Sequence, residues 1–143
     1  MRNWDIQQVI DTLEQGAGIA MDYYEAPSAR LKSDLSIVTE ADHAIEHAFG
    51  EVFDSPETGS YLIGEETVHT KDTDYLDAAL TEVAWIVDPI DGTAPYAHHI
   101  PTWGISLARM ENGTITDGAI YLPITNEMFV TDGEEILYGP PKE

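Results

Sequence analysis

The chain has 143 residues, enough for one domain with its own core, and no cysteine, which excludes disulfides and zinc–thiolate sites. Its formal net charge of −21, from 27 acidic and 6 basic residues, excludes a basic nucleic-acid-binding face and predicts repulsion from anionic membranes. No apolar stretch approaches the ~20 residues of a membrane span, and the N-terminus lacks a signal-peptide core. We therefore expect a cytoplasmic protein.

The excess of acidic residues exceeds what one binding site would use. The scarcity of lysine suggests adaptation to high salt, where self-repulsion of the surface is screened. Unfolding measured against KCl concentration tests this hypothesis, and stability that falls steadily with added salt would contradict it.

Two amphipathic helices are predicted in the first part of the chain. Apolar residues recur at three- and four-residue steps over residues 4–24, and a loop with Pro, Ser and Asp follows over residues 25–37. The second helix is predicted to start after Thr39, a good N-cap, with Asp42 where a capping-box acid would lie. It should end near residue 53, before an Asp-Ser-Pro stop.

Strand patterns dominate the rest of the chain. A short strand over residues 61–64 and a buried strand over residues 83–87 flank a polar connection, a loop or short helix, over residues 68–81. Three further strands are predicted and are separated by turn signals, of which Glu111-Asn112-Gly113 is the strongest; they cover residues 104–110, 119–122 and 127–131. This order predicts an α+β fold, with layered helices packed on a mostly antiparallel sheet.

The buried strand delivers two aspartates, Asp88 and Asp91. Two carboxylates held at the end of a strand suit a hard divalent cation, and Pro89 between them has a fixed φ that would stiffen their turn. The alternative is an ordinary turn, because Asp-Pro and Asp-Gly are common turn dipeptides. Glu65, after the shorter strand, is a further ligand candidate or an ordinary exposed acid; Gly64 would permit an unusual backbone angle there.

Gly92 and Thr93 follow the two aspartates and precede a predicted helix start. Glycine lets the backbone approach a ligand closely, and N–H groups at a helix N-terminus favour a phosphate. The alternative role of Thr93 is an N-cap, which is compatible with phosphate binding. A cation site beside a phosphate site describes a metal-dependent phosphatase.

Histidines offer weaker signals. His43 and His47 have the i, i+4 spacing of a chelating pair, but no third ligand accompanies them, so we expect surface residues. His98 and His99 are adjacent and would not face the same way on a helix, so a structural role is favoured there. Lys32 is a weak candidate for a contact near the site.

Three segments together resemble the inositol monophosphatase family of magnesium-dependent, lithium-sensitive phosphatases. They are Val-Thr-x-Ala-Asp at residues 38–42, Gly-Glu-Glu-Thr at 64–67 and Asp-Pro-Ile-Asp-Gly-Thr at 88–93, in the family's order. Residues 133–139 resemble a family turn. The family's Thr-Asn-Phe after Gly-Thr is replaced here by residues 94–96, Ala-Pro-Tyr.

The resemblance covers only the N-terminal half of the family's length. It implies a single domain over residues 1–143, equivalent to the N-terminal part of the αβαβα sugar-phosphatase fold. The C-terminal half, with one further metal aspartate and most substrate contacts, is absent. We therefore expect a fragment, a half completed by a second polypeptide, or a homo-oligomer, and an apolar face left uncovered.

The resemblance also implies the roles of individual residues. The site would hold two or three Mg²⁺ ions, or Mn²⁺ in their place. Asp88 would bridge two of these ions, and the Ile90 carbonyl would bind one of them. Asp91 would bind the second ion and contact substrate hydroxyls. The remaining implied roles belong to Glu65, which binds the first ion and orients the attacking water, and to Thr93 and Asp42, which position that water.

The implied activity is hydrolysis of a small phosphate monoester by metal-activated water. Inositol, sugar, histidinol and nucleotide phosphates are all candidate substrates. Two other hypotheses remain: an incomplete half that binds metal and phosphate without turnover, and a half that pairs with a C-terminal half or with itself.

Overall fold

The computed structural model describes residues 3–25 and 34–141, with the side chains of residues 34–37 excepted. Within them, two long helices cover one face of a six-stranded sheet. The helices are α1 (Ile6–Glu25), α2 (Asp34–Phe53), α3 (Glu65–Thr70), α4 (Thr73–Thr81) and α5 (Thr93–Ala97), with a 3₁₀ turn at Pro56–Thr58. The strands are β1 (Ser60–Ile63), β2 (Val83–Asp91), β3 (Gly104–Glu111), β4 (Thr114–Leu122), β5 (Glu127–Asp132) and β6 (Glu135–Gly139).

The prediction for the first helix is confirmed, but the predicted start of the second is wrong. Helix α2 begins at Asp34, so Thr39 lies inside it and is not its N-cap. The physical reason is that Val38 continues the buried stripe of Ala41 and Ile45 in the N-terminal direction. The last four residues of the predicted loop are therefore helical, while residues 26–33, including Lys32, lie outside the described part of the chain.

The sheet has the order β1-β2-β3-β4-β5-β6, in which β1 and β2 are parallel and every other pair is antiparallel. This confirms the predicted mostly antiparallel sheet. The hairpin turn between β3 and β4 is also confirmed, with left-handed φ values of 50° at Asn112 and 77° at Gly113. The polar connection predicted over residues 68–81 is mostly helical, which confirms the short-helix alternative: it consists of the end of α3 and all of α4. Asp72 caps α4 by accepting from the Tyr75 N–H at 2.9 Å.

One expected turn is a strand. Residues 135–139 form β6, which pairs with β5 through contacts that include Thr131 with Ile136 and Asp132 with Glu135. Only residues 133 and 134 are left to turn the chain, and Gly133 adopts the left-handed φ of 66° that so tight a connection requires. The turn predicted over residues 133–139 is therefore wrong for all but its first two residues.

The core lies between the two long helices and one face of the sheet. Leu13 on α1, Ile45 and Phe49 on α2, and Ile105 on β3 are fully buried. Trp85 on β2 stacks on Trp4, which precedes α1, and on Phe53 at the end of α2, and side chains of this size dominate core stability. This packing anchors one face of the sheet and so fixes the positions of its strand ends.

On the opposite face of the sheet, α4 packs against β1 to β3, and the rest of that face is apolar and uncovered in the described structure, as expected. Its side chains alternate with those of the core along each strand. Four of them are 36–66% exposed, namely Ile120, Phe129, Ile136 and Tyr138. Ile120, Phe129 and Ile136 line a concavity of about 410 Å³ whose lining extends to Asp88, and the Tyr138 ring packs against Phe129. We call this surface the open face.

No helix of residues 3–25 or 34–141 has both the length and the apolar character that a membrane crossing requires.

Candidate active site

The only parallel pair in the described sheet, β1 with β2, brings the candidate ligands to one edge. Ile63 pairs with Ile86, and Glu65 and Asp88 each lie two residues beyond that pair in the same chain direction. Asp91 closes β2 after a shift in its register with β3. Because parallel strands end at the same edge, two segments far apart in sequence deliver their carboxylates to one place.

Electrostatic coupling shows that four carboxylates share this edge. Burial raises the pKa of Asp42 to about 7, and the negative charges of Glu65 and Asp88 add to the effect. Burial also raises the pKa of Asp88, with further contributions from Asp91 and Glu65. We call Asp42, Glu65, Asp88 and Asp91 the acidic cluster; its members repel one another, and a cation between them would relieve that repulsion.

Asp42 reaches this edge from helix α2. It lies well inside the helix, so its alternative role as a capping acid is wrong. Its Oδ1 atom is buried and has no hydrogen-bond partner. A buried polar atom without a partner is costly and calls for an explanation such as an ion or a water. The Oδ1 atom is therefore available to a ligand.

Glu65 is the first residue of α3 and is exposed. The unusual backbone angle expected at Gly64 is wrong, because its φ of −142° and ψ of −179° are ordinary extended values. The position requires glycine for space: a Cβ there would lie 3.0 Å from Cγ of Glu46 and closer still to its carboxylate. Glu66, next to Glu65, has a carboxylate oxygen 4.0 Å from Nε2 of His43, on the surface.

Gly92 and Thr93 form the start of the predicted short helix, which is confirmed as α5. Gly92 occupies the N-cap position with a left-handed φ of 97°, so the alternative of Thr93 as the N-cap is wrong. Thr93 is the first helical residue and its side chain is exposed. Pro95 lies in the first turn of the helix, where its missing N–H has no intrahelical partner to lose.

We expect Gly92→Ala to destabilise the fold more than Gly133→Ala. Both glycines have left-handed φ values, which cost a non-glycine residue about 1 kcal/mol. A Cβ at Gly92 would also lie 3.1 Å from the Thr102 carbonyl oxygen and 3.2 Å from Cα of Trp103, whereas Gly133 has open space. Urea unfolding of both variants measures the difference; equal losses would show that the Gly92 turn can relax.

The histidines take structural or surface positions. His98 follows the last residue of α5, and His99 lies beyond it with a φ of 58°, so the placement of this pair on a helix is wrong. His99 stacks on Tyr24 with ring centroids 4.1 Å apart. His43 and His47 are exposed on α2, as expected.

The donor atoms of the acidic cluster suit a hard cation. Carboxylate oxygens are the ligands that Mg²⁺ and Mn²⁺ prefer. Across residues 3–25 and 38–141, however, no three Asp, Glu or His side chains already form a ready metal-binding group. The set therefore fits a divalent cation by its chemistry, and closure around the ion would need small movements or further ligands.

Sequence reasoning missed Glu46, a buried carboxylate directly beneath the segment that carries Glu65. A signal was available: Glu46 lies four residues after Asp42, on the same face of one helix. An acid on an otherwise apolar helix face is unusual and indicates a specific partner.

Helices layered on a mixed sheet, with carboxylates gathered where two parallel strands end, define an α+β protein with an acidic candidate site. Residues 5–137 match the model of the inositol monophosphatase family. The chain belongs to that family, which confirms the resemblance seen in its motifs.

Individual relatives agree. An inositol-1-monophosphatase of Caulobacter vibrioides is 33% identical over 129 residues, 87% of this chain and 48% of that protein. A histidinol-phosphatase of Chlorobaculum parvum is 28% identical over 87% of this chain and 46% of its own. The crystal structure of inositol monophosphatase-II from Staphylococcus aureus superposes with a TM-score of 0.69 at 25% identity, covering 90% of this chain and 46% of that one. The chain thus spans about half the length of the relatives it matches.

Proposed function

We propose that this chain forms the cation- and phosphate-binding half of a magnesium-dependent phosphomonoesterase. The observation that carries the proposal is the acidic cluster, with the raised pKa values of Asp42 and Asp88 and the unpartnered Oδ1 of Asp42. Neighbouring carboxylates disfavour each other's charged form, and a bound cation would relieve that cost. Membership of the inositol monophosphatase family supports a phosphate ester as the substrate.

Each residue of the site would have a distinct role. Glu65, Asp88, Asp91 and the Ile90 carbonyl would hold two or three Mg²⁺ ions, for which Mn²⁺ could substitute. When bound, the ions would supply Lewis-acid chemistry that acidifies water and offsets charge on the phosphoryl group.

The phosphate would be bound beside the acidic cluster. The backbone N–H groups of Gly92 and Thr93 would donate to it, which the glycine's lack of a side chain permits. The Thr93 hydroxyl and the Asp42 carboxylate would orient the attacking water, while Asp91 would also accept from substrate hydroxyls. Orientation of this kind lowers the barrier by reducing the entropy lost in the reaction step.

The substrate would be a small phosphorylated metabolite. The names of the relatives cover inositol monophosphates and histidinol phosphate, and sugar and nucleotide phosphates have similar chemistry. A polymer of nucleic acid is disfavoured by the charge of −21. We further propose that the enzyme is cytoplasmic and inhibited by lithium.

We also propose that residues 1–143 act as one domain that needs a second half, supplied by further residues of the same protein, by another polypeptide or by a second copy. The open face supports this, because an exposed apolar surface of this kind usually marks an interface. We expect a melting temperature that rises with protein concentration, and Phe129→Ser on the open face to weaken that dependence. A melting temperature independent of concentration, with a monomer in sedimentation, would rule out self-association.

Phosphate release tests the proposed activity. The chain is incubated with inositol, sugar, histidinol and nucleotide monophosphates, with and without magnesium. The assay is run on the chain alone and together with any second half that is found to bind it, and Asp88→Asn is the control. Release that requires both magnesium and Asp88 would support the proposal and identify the substrate class. Cation-linked stabilisation without release would favour the alternative, a half that binds metal and phosphate but does not turn over.

A further inference from the structure

We propose that Glu46 is a positioning residue that holds Glu65 in place for the cation, an inference that rests on the function proposed above. Glu46 lies on α2, one helical turn after Asp42, and only 6% of it is exposed. Its side chain points toward the segment that joins β1 to α3. Nothing in the motifs assigns this residue a role.

Both carboxylate oxygens of Glu46 are engaged by the first turn of α3. Oε1 accepts from the Glu66 N–H at 3.2 Å, and Oε2 accepts from the Thr67 N–H at 3.0 Å and the Thr67 hydroxyl at 3.1 Å. The first N–H groups of a helix have no intrahelical partners, and a negative charge beside them is favourable. A carboxylate this buried is tolerated only when it is hydrogen-bonded in this way.

The hydrogen bonds from Glu66 and Thr67 to Glu46 fix the position of Glu65, the residue before them. Glu65 is the first residue of α3, and its two successors are the residues that Glu46 holds. An exposed glutamate has several rotatable bonds and binds a cation poorly unless its backbone is fixed. Anchoring the helix start therefore reduces the entropy that Glu65 loses when it binds a cation.

The sequence accommodates this contact at a specific position. The absence of a side chain at Gly64 leaves the space through which the Glu46 carboxylate reaches α3. Because Asp42 and Glu46 lie at i, i+4 on α2, one helix face supplies a carboxylate to the acidic cluster and another to its support. The position of Glu65 is thereby tied to that of Asp42.

Glu46 differs from the cluster in one decisive respect. Its oxygens already accept three hydrogen bonds from protein donors, whereas Oδ1 of Asp42 accepts none. Glu46 is therefore suited to support a ligand and not to be one.

The test measures the Mn²⁺ affinity of folded protein by calorimetry. Glu46→Gln keeps the shape but loses the charge and one acceptor, and we expect affinity to fall about 10-fold, as is usual for groups that orient metal ligands. Thr12→Ala on α1, which loses a buried hydroxyl bonded to the Gln8 carbonyl, is the control for stability loss and should retain wild-type affinity. Should Glu46→Gln not fold, Thr67→Val removes one of the three bonds and should give a smaller fall.

The outcomes separate the two proposals. Wild-type Mn²⁺ affinity in Glu46→Gln, or in Thr67→Val if the former does not fold, overturns the positioning role. Glu65→Gln reports on the proposed function: if it binds Mn²⁺ as tightly as the wild type, Glu65 is not a ligand and both proposals fail. Loss in Glu65→Gln without loss in Glu46→Gln overturns the positioning role alone.

Discussion

Replacing Asp88 with asparagine is expected to leave the metal-free protein as stable as the wild type or more so, while abolishing its stabilisation by magnesium. Burial and the charges of Asp91 and Glu65 raise the pKa of Asp88. The folded state thus binds this proton more tightly than the unfolded chain, so the ionised carboxylate opposes folding at neutral pH, and a neutral amide removes that cost. The same change would remove one of the proposed cation ligands.

Thermal unfolding with and without magnesium measures both effects. Magnesium at about ten times its dissociation constant should stabilise the wild type by about 1.4 kcal/mol, and Asp88→Asn by much less. Glu134→Gln is the matched control: it also removes one exposed acid, but at the β5–β6 turn, the opposite end of the sheet from Asp91. Equal stabilisation of all three proteins would mean that magnesium acts only by screening the acidic surface.

Gly64→Ala is expected to destabilise the fold more than the alanine substitutions of Gly18, Gly92 and Gly133. The new Cβ would collide with the Glu46 carboxylate, which three hydrogen bonds hold in place. Overpacking typically costs about 1–3 kcal/mol, and displacing a charged hydrogen-bonded group adds about 1–3 kcal/mol more. We therefore expect a loss of at least about 2 kcal/mol in urea unfolding.

Gly18→Ala provides the opposite control. Gly18 lies within α1 and a Cβ there meets nothing within 4 Å. Alanine should stabilise the helix by up to about 1 kcal/mol, because it has the higher helix propensity. If Gly64→Ala were as stable as the wild type, the segment before Glu65 would be free to move, which would weaken the case for Glu46 as its anchor.

Much of this fold is accessible from local pattern. Helix α1, the buried core of β2 and the hairpin at Asn112-Gly113 follow from periodicity and turn chemistry that each segment carries by itself. The start of α2 cannot be predicted from local pattern. Thr39 has the chemistry of a good cap, and only the packing of Val38 extends the helix past it toward the N-terminus. Tertiary burial there outweighs a capping preference worth about 1 kcal/mol.

In the candidate site, too, some residues can be predicted from local sequence, whereas others depend on contacts between distant segments. Asp88 and Asp91 are visible in the sequence because one rigid segment carries both. The meeting of Glu65 with Asp88 depends on the parallel pairing of β1 with β2, a contact between distant segments. The constraint on Gly64 also depends on a distant segment. It comes from Glu46 on another helix and not from the backbone angles of Gly64 itself.

Binding of a divalent cation by the acidic cluster is tested most directly by paramagnetic broadening from Mn²⁺ in the backbone amide NMR spectrum. Substoichiometric Mn²⁺ should selectively broaden the signals near Asp42, of residues 64–67 and of residues 88–93, and Asp88→Asn should remove the effect. Broadening spread evenly over the acidic surface, or unchanged in Asp88→Asn, would contradict binding by the cluster.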